Sequence, residues 1–357
     1  MAEKAGLSPE KLGAAIQLVE REASSGAVGA VAFLVARDSY VAVERGYGRL
    51  FPGPGSPPCR PDSVFLVASI TKPMTTMAVM KLVERGRIGL DDPVSRYLPE
   101  FSGQGRERIT VRHLLTHTTG LPDMLPENIE LRKRQAPLRE FVAGTLRAPL
   151  LFPPGTRVSY QSMGILLAAE IVEHLAGERL NSFLEREVFT PLGMRSSSLG
   201  LRGRQIEETV QCGLPSSSDL TMTAADKSWN WNSPYWRNLG APWGGMHSTA
   251  GDIALALQAM LEGGRPVLQP DTARAMITDQ NAGLDKPWGL GWQLGTGAFF
   301  PSSPAALFGH SGSTGTMCWA DPARKLIFVL LTNRPLANDP SNLHARVSAL
   351  VSEAASS

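Results

Sequence analysis

Strand-forming runs lie at both ends of this chain, and helix-forming runs fill its middle. Val28 to Ala36 and Tyr40 to Val43 read as strands joined by Arg37-Asp38-Ser39, a hairpin turn. Near the other end, Gly289 to Leu294, Ala306 to Phe308, Thr316 to Trp319 and Leu326 to Leu331 alternate with turns. Asp321-Pro322 makes the last two an antiparallel hairpin. Hairpin-linked strands predict a mostly antiparallel sheet. The economical architecture is α+β, and a length of 357 residues suits two domains. Residues 1–68 and 245–357 are expected to build one sheet domain flanked by the terminal helices. Residues 69–244 are expected to form a mainly helical domain beside it, with a cleft between the two.

The helices carry local start and stop signals. Ser8-Pro9 is an N-cap and first helical position, after which Leu12, Ala15, Ile16 and Val19 share one face. Thr110 caps a short helix through Leu115. Gly164 to Ala176 is a strongly apolar helix closed by Gly177, and Asn181 to Val188 is another, stopped by Pro191. Thr249-x-x-Asp252 resembles a capping box with Asp in place of Glu, and its helix runs to Gly263-Gly264. A final helix places Leu343, Val347, Leu350 and Val351 together. Arg202 to Leu239 shows no period and reads as long loops over a site.

Chemistry enters at Ser69-Ile70-Thr71-Lys72-Pro73. With Ser69 at a helix start, Lys72 lies three residues on and shares its face. The pairing sets an amine beside a hydroxyl, as serine acyl transfer can use. The unpartnered N–H groups of the first helical turn can donate to an oxyanion, and Pro73 forfeits no helix bond there. A Ser-x-x-Lys match is common by chance, so it needs partners. A lysine of ordinary pKa, about 10.4, is a poor base at neutral pH, and a tyrosine nearby can share the proton traffic. Of the five tyrosines, Tyr160 stands out, because the turn Phe152-Pro153-Pro154-Gly155 delivers it just before a buried helix. Phe308-Gly309-His310-Ser311-Gly312-Ser313 is a strand of small polar residues that a substrate can approach closely. The Ser313 N–H can complete an oxyanion hole with that of Ser69.

Together these pieces resemble the β-lactamase-like superfamily of serine hydrolases, which includes class C β-lactamases, DD-peptidases, D-aminopeptidases and family VIII carboxylesterases. The resemblance runs roughly from Leu12 to Asn333. Ser69-Ile70-Thr71-Lys72 matches the first motif, and Leu114 to Pro122 matches a structural signature. Tyr160-Gln161-Ser162 sits where Tyr-x-Asn is usual. Gly244 to Asp252 and Trp288-Gly289-Leu290-Gly291-Trp292 match two more signatures. His310-Ser311-Gly312 stands in place of Lys-Thr-Gly, and Leu331-Thr332-Asn333 closes the last strand. The resemblance implies Ser69 as nucleophile, with Lys72 and Tyr160 as the proton-transfer system. It implies the N–H groups of Ser69 and Ser313 as oxyanion hole, with His310, Ser311 and Gly312 lining the substrate cleft. Ser162 lacks the amide that holds a substrate's amide side chain, and His310 offers a weaker, pH-dependent charge than Lys. Both departures lean toward a carboxylesterase of short acyl esters and away from efficient β-lactam hydrolysis. D-amino-acid peptidase, amidase, acyltransferase and weak β-lactamase activities are the neighbouring expectations. A non-turnover acylated sensor is the rival from another class.

Composition narrows the remaining options. A formal charge of +2 offers no nucleic-acid or acidic-membrane surface. Cys59, Cys212 and Cys318 form neither a metal pattern nor a disulfide framework. The polar start of the chain and the lack of a long apolar run lead us to expect a cytoplasmic protein. His113 and His117 have the spacing of a zinc pair, but Leu114 stands where the metalloprotease Glu belongs, so neither metal nor cofactor is expected. Trp229, Trp231, Trp236 and Trp243 cluster in the loop-rich region as packing or acyl-pocket aromatics, and Trp243 is counted among the candidate substrate-binding residues. The partner expected is a small ester or amide.

Overall fold

Two apolar runs from opposite ends of the chain pair in the centre of the fold. The computed structural model describes residues 2–214 and 227–355. In chain order the strands are β1 (Ala30–Arg37), β2 (Tyr40–Gly48), β3 (Phe65–Leu66), β4 (Ser198–Leu199), β5 (Met246–Ser248), β6 (Gln293–Leu294), β7 (Phe308–Gly312), β8 (Thr316–Asp321) and β9 (Leu326–Thr332). The main sheet has the order β2-β1-β9-β8-β7-β6, with every neighbouring pair antiparallel. β1 meets β9 from Val31 opposite Thr332 to Arg37 opposite Leu326. Both strands are near-continuous apolar runs because both of their faces are covered. One face packs Phe33, Val35, Trp319 and Phe328 against Leu12 and Val19 of the first helix and Val347 and Val351 of the last. The other buries Ala32, Leu34, Val329 and Leu331 in the larger core that holds the mid-chain helices.

The α+β expectation holds, and the terminal helices cover one face of the sheet together. Arg37-Asp38-Ser39 is the hairpin turn, with Asp38 at φ 49° and Ser39 at φ 66°. Positive φ at both central residues matches the twist of an antiparallel pair. Thr110 caps its helix, and the ring of His113 takes the place a Glu usually fills in a capping box. β3, β5 and β4 form a second, small antiparallel sheet, whose first strand leads directly into Ser69.

Five local readings are corrected. Gly289 to Leu294 is a strand only over Gln293–Leu294. Gly291 turns with φ 78°, and a Cβ there would sit 2.3 Å from Thr76 Oγ1, so the backbone folds tightly onto the Ser69 helix instead of extending. The next strand begins at Phe308, not Ala306. Pro191 does not stop the helix before it: a π turn over Glu185–Phe189 carries the chain on to Leu192, and Gly193 closes it. Thr249 accepts from the Asp252 N–H, but the Asp252 carboxylate turns away to Ser196 N and Ser197 Oγ, so only half a capping box forms. Within Arg202 to Leu239, a 3-10 turn (Ile206–Glu208) and a helix (Pro234–Leu239) interrupt the loop; residues 215–226 lie outside the described part.

Asn333, at the exit of β9, ties three segments together. Its Oδ1 accepts from the N–H groups of Gly29 and Ala30, each at 3.0 Å, and its Nδ2 donates to Gln211 O. Asn333→Ala strands the buried Ala30 N–H. A loss of about 1–3 kcal/mol is expected. It would be read as a lower urea midpoint with unchanged slope.

Candidate active site

β3 delivers the chain to a turn that is strained at one residue. Ala68 has φ 46°, a left-handed conformation that disfavours a residue with a Cβ. Thr71 holds it there by donating to Ala68 O at 2.6 Å and accepting from Met246 N. Ser69 lies in the 3-10 turn Ala68–Ile70, which continues into the helix Thr71–Glu84. Lys72 therefore points back along Ser69. Its Nζ donates to Ser69 Oγ at 3.0 Å and to the Trp243 carbonyl at 2.9 Å.

Lys72 is 1% exposed, and burial pulls its ammonium from an ordinary 10.5 down to about 7, with the Asp123 charge opposing. Tyr160 packs over it, with Nζ 4.8 Å from the ring centroid. Tyr160 is 37% exposed on the cleft side, yet desolvation by the surrounding protein pushes its hydroxyl's pKa well up, while a hydrogen bond with Ser69 pulls the other way. The hydroxyl therefore stays protonated at neutral pH. Beneath it, His117 accepts from Gln161 N through Nδ1, and its ring lies 4.6 Å from Tyr160 and 4.7 Å from Trp288. Burial, with Lys72 and His310 nearby, holds His117 neutral.

Two threonines bring Ser313 to Ser69. Thr314 Oγ1 donates to Leu66 O at 2.8 Å, and Thr316 Oγ1 donates to Val67 O at 3.0 Å. The β7–β8 turn is thereby stapled to the residues just before Ala68. On its outer side, Gly315 O accepts from Thr332 N and Thr332 Oγ1, and Leu336 N donates to Ser313 O.

The cleft has two compartments that share Ser69, Tyr160, Trp231 and Ser313. The larger, about 590 Å³, adds Trp288, His310, Ser311 and Lys286. The smaller, about 220 Å³, adds Asp123, Arg132, Ser162, Trp236 and Trp243. Most candidates from the sequence are thus gathered in one place. Gly312 lines neither compartment: a Cβ there would meet Val67 O at 2.4 Å, so its smallness serves the stapled turn. Trp229 is buried away from the cleft. His310 departs from expectation in charge. Its Nδ1–H donates to Ser311 O at 2.7 Å, and burial together with Lys72 lowers its pKa to about 3. It is a neutral imidazole at physiological pH and supplies no cation. Asp123, His117 and Trp288 went unassigned from sequence, although Asp123 directly follows the Leu114 to Pro122 signature. His113 and His117 serve different elements, one as helix cap and the other under Tyr160.

Strand order, the Ser69 turn and the paired Lys72 and Tyr160 define a β-lactamase-type fold around a serine-centred cleft. The Beta-lactamase family model matches residues 15–353, and the chain belongs to that family. An N-acetylmuramyl-L-alanine amidase of Bacillus subtilis is 29% identical over 369 residues, covering 93% of this chain and 83% of that protein. Esterase EstB of Burkholderia gladioli is 30% identical over 346 residues, covering 86% of each. Among solved structures, EstCE1, a hydrolase with promiscuous acyltransferase activity, superposes with TM-score 0.77 at 22% identity, covering 96% of this chain and 98% of its own. Among the described residues no helix is long and apolar enough to cross a membrane.

A protonated Lys72 has no lone pair to take a proton from Ser69. Lys72-dependent turnover is therefore expected to rise as pH increases through about 7, the value to which burial lowers this amine. A kcat/KM profile from pH 5 to 9 checks it. Lys72→Arg, which keeps the charge but cannot deprotonate, should lose roughly 10²–10⁴-fold.

Proposed function

We propose that the protein is a serine carboxylesterase acting on short acyl esters through a Ser69 acyl-enzyme. The observation that carries this reading is the buried, readily deprotonated Lys72 amine 3.0 Å from Ser69 Oγ. Neutral Lys72 takes the Ser69 proton as Oγ bonds to the ester carbonyl carbon. The carbonyl oxygen becomes an oxyanion, and the N–H groups of Ser69 and Ser313 stabilise it. As the carbon–oxygen ester bond breaks, the departing alkoxide takes the Tyr160 hydroxyl proton, which the Lys72 ammonium replaces. Water then attacks the acyl-enzyme by the reverse proton route, releasing the acid and regenerating Ser69.

The neutral His310 supports the ester reading against β-lactams. Substrates recognised by a carboxylate need a fixed cation beside the nucleophile, and His310 is not one at pH 7. Ester hydrolysis, amide hydrolysis and acyl transfer can all run through a Ser69 acyl-enzyme, and the likeness to proteins named as an esterase and an amidase supports amides as neighbouring substrates.

Hydrolysis of p-nitrophenyl acetate, butyrate and octanoate by wild type and Ser69→Ala tests the proposal. Turnover of the short esters, reduced on the order of 10³-fold or more in the variant, is expected. Retained activity in Ser69→Ala would sink the mechanism. A stoichiometric adduct that persists in the intact mass would favour a non-turnover sensor. In the same assay, His310→Lys should raise kcat/KM for a chromogenic cephalosporin relative to p-nitrophenyl butyrate by about tenfold or more, the effect of about 1.4 kcal/mol from one fixed charge.

A further inference from the structure

The smaller compartment carries a feature that ester hydrolysis does not by itself require. Its walls are the indoles of Trp231, Trp236 and Trp243, and Asp123 is the only carboxylate lining it among the described residues. Asp123 is exposed to the cleft. One carboxylate oxygen accepts from Ser162 N at 2.8 Å, and its charge also reaches the Arg132 guanidinium, whose protonated form it favours. Arg132 also lines this compartment, but it is buried. Its guanidinium stacks 4.0 Å over the Trp236 ring, and its Nε donates to Asn128. An entering ligand therefore meets the Asp123 carboxylate and indole surface before it meets Arg132. Indole faces attract cations, and a nearby carboxylate reinforces them.

The compartment is also the better seat for the acyl group. It is the smaller of the two, about 220 Å³ against 590 Å³. The acyl group must stay fixed while the alcohol leaves and water replaces it, which suits the tighter space. The larger compartment gives the alcohol its exit.

We propose that this cleft prefers acyl groups bearing a cationic amine, with Asp123 as the counter-ion and the tryptophans as the surrounding wall. The proposal rests on the Ser69 acyl-transfer reading and specifies its substrate class. The Asp123 charge is felt at both Lys72 and Tyr160, which places it within electrostatic reach of the reacting groups. A cation on the substrate would offset the hold that Asp123 exerts on the Lys72 proton. Seating such a substrate thus favours the basic form of Lys72, while Arg132 keeps its place behind Trp236.

Two isosteric esters test this: p-nitrophenyl 4-(trimethylammonio)butanoate and its uncharged carbon analogue, p-nitrophenyl 5,5-dimethylhexanoate. Wild type should favour the charged ester in kcat/KM by about tenfold. Asp123→Asn should bring the ratio close to one. A wild-type ratio at or below one, or a ratio unchanged in Asp123→Asn, overturns the proposal while leaving the esterase reading intact. If neither ester turns over, 3-(trimethylammonio)propylboronic acid and 4,4-dimethylpentylboronic acid decide by their Kd values, read from tryptophan fluorescence. Tighter binding of the charged boronate, lost in Asp123→Asn, upholds the ligand class although ester hydrolysis has failed. Equal or weaker binding overturns it. Binding of neither boronate removes the acyl-transfer reading and this proposal with it.

Discussion

The desolvated amine of Lys72 is the constraint around which the site is built. A lysine side chain that is 1% exposed is costly to keep charged, and the fold surrounds it with an acceptor on each side, Ser69 Oγ and the Trp243 carbonyl. Once the amine sits there, its neighbours are restricted. The two closest imidazoles, His117 and His310, are held neutral partly by its charge, and the Tyr160 ring covers it. The nearby Asp123 carboxylate, like the Ser69 Oγ and Trp243 carbonyl acceptors, favours its protonated form. The chemistry thus depends on a balance between burial on one side and the acceptors and the Asp123 charge on the other.

Positioning follows from backbone geometry more than from side-chain contacts at the site. The left-handed Ala68 aims Ser69 into the cleft, and Thr71 keeps that turn closed. Thr314 and Thr316 join the β7–β8 turn to Leu66 and Val67, so the segments carrying the two N–H donors proposed as the oxyanion hole are hydrogen-bonded to each other. Gly312 allows the close approach, since any side chain would strike Val67 O. Preorganised donors of this kind need no rearrangement at the moment of reaction.

Much of the fold was legible because its determinants are local or periodic. The apolar runs of β1 and β9, the Asp38-Ser39 turn, the Thr110 cap and the Gly177 stop are read within a few residues of themselves. Misreadings came where a distant contact overrode the local signal. Asp252 forsakes its own helix cap for Ser196 and Ser197, and Gly291 bends onto Thr76 instead of extending a strand. The π turn before Pro191 likewise has no signature that a proline rule can detect.

By itself the sequence determined that Ser69 and Lys72 would stand side by side, because a three-residue separation on a helix allows little else. It also determined that both chain ends would share one antiparallel sheet. Tertiary structure decided what those residues can do. Burial set the protonation of Lys72, and burial together with the Lys72 charge made His310 a neutral imidazole in a position read as a weak cation, against the pull of the Ser311 carbonyl. Packing also turned Asp123 toward the three tryptophans. Charge state and mutual placement depend on groups brought together from as many as 249 residues apart. A local reading of the chain has no access to such distances.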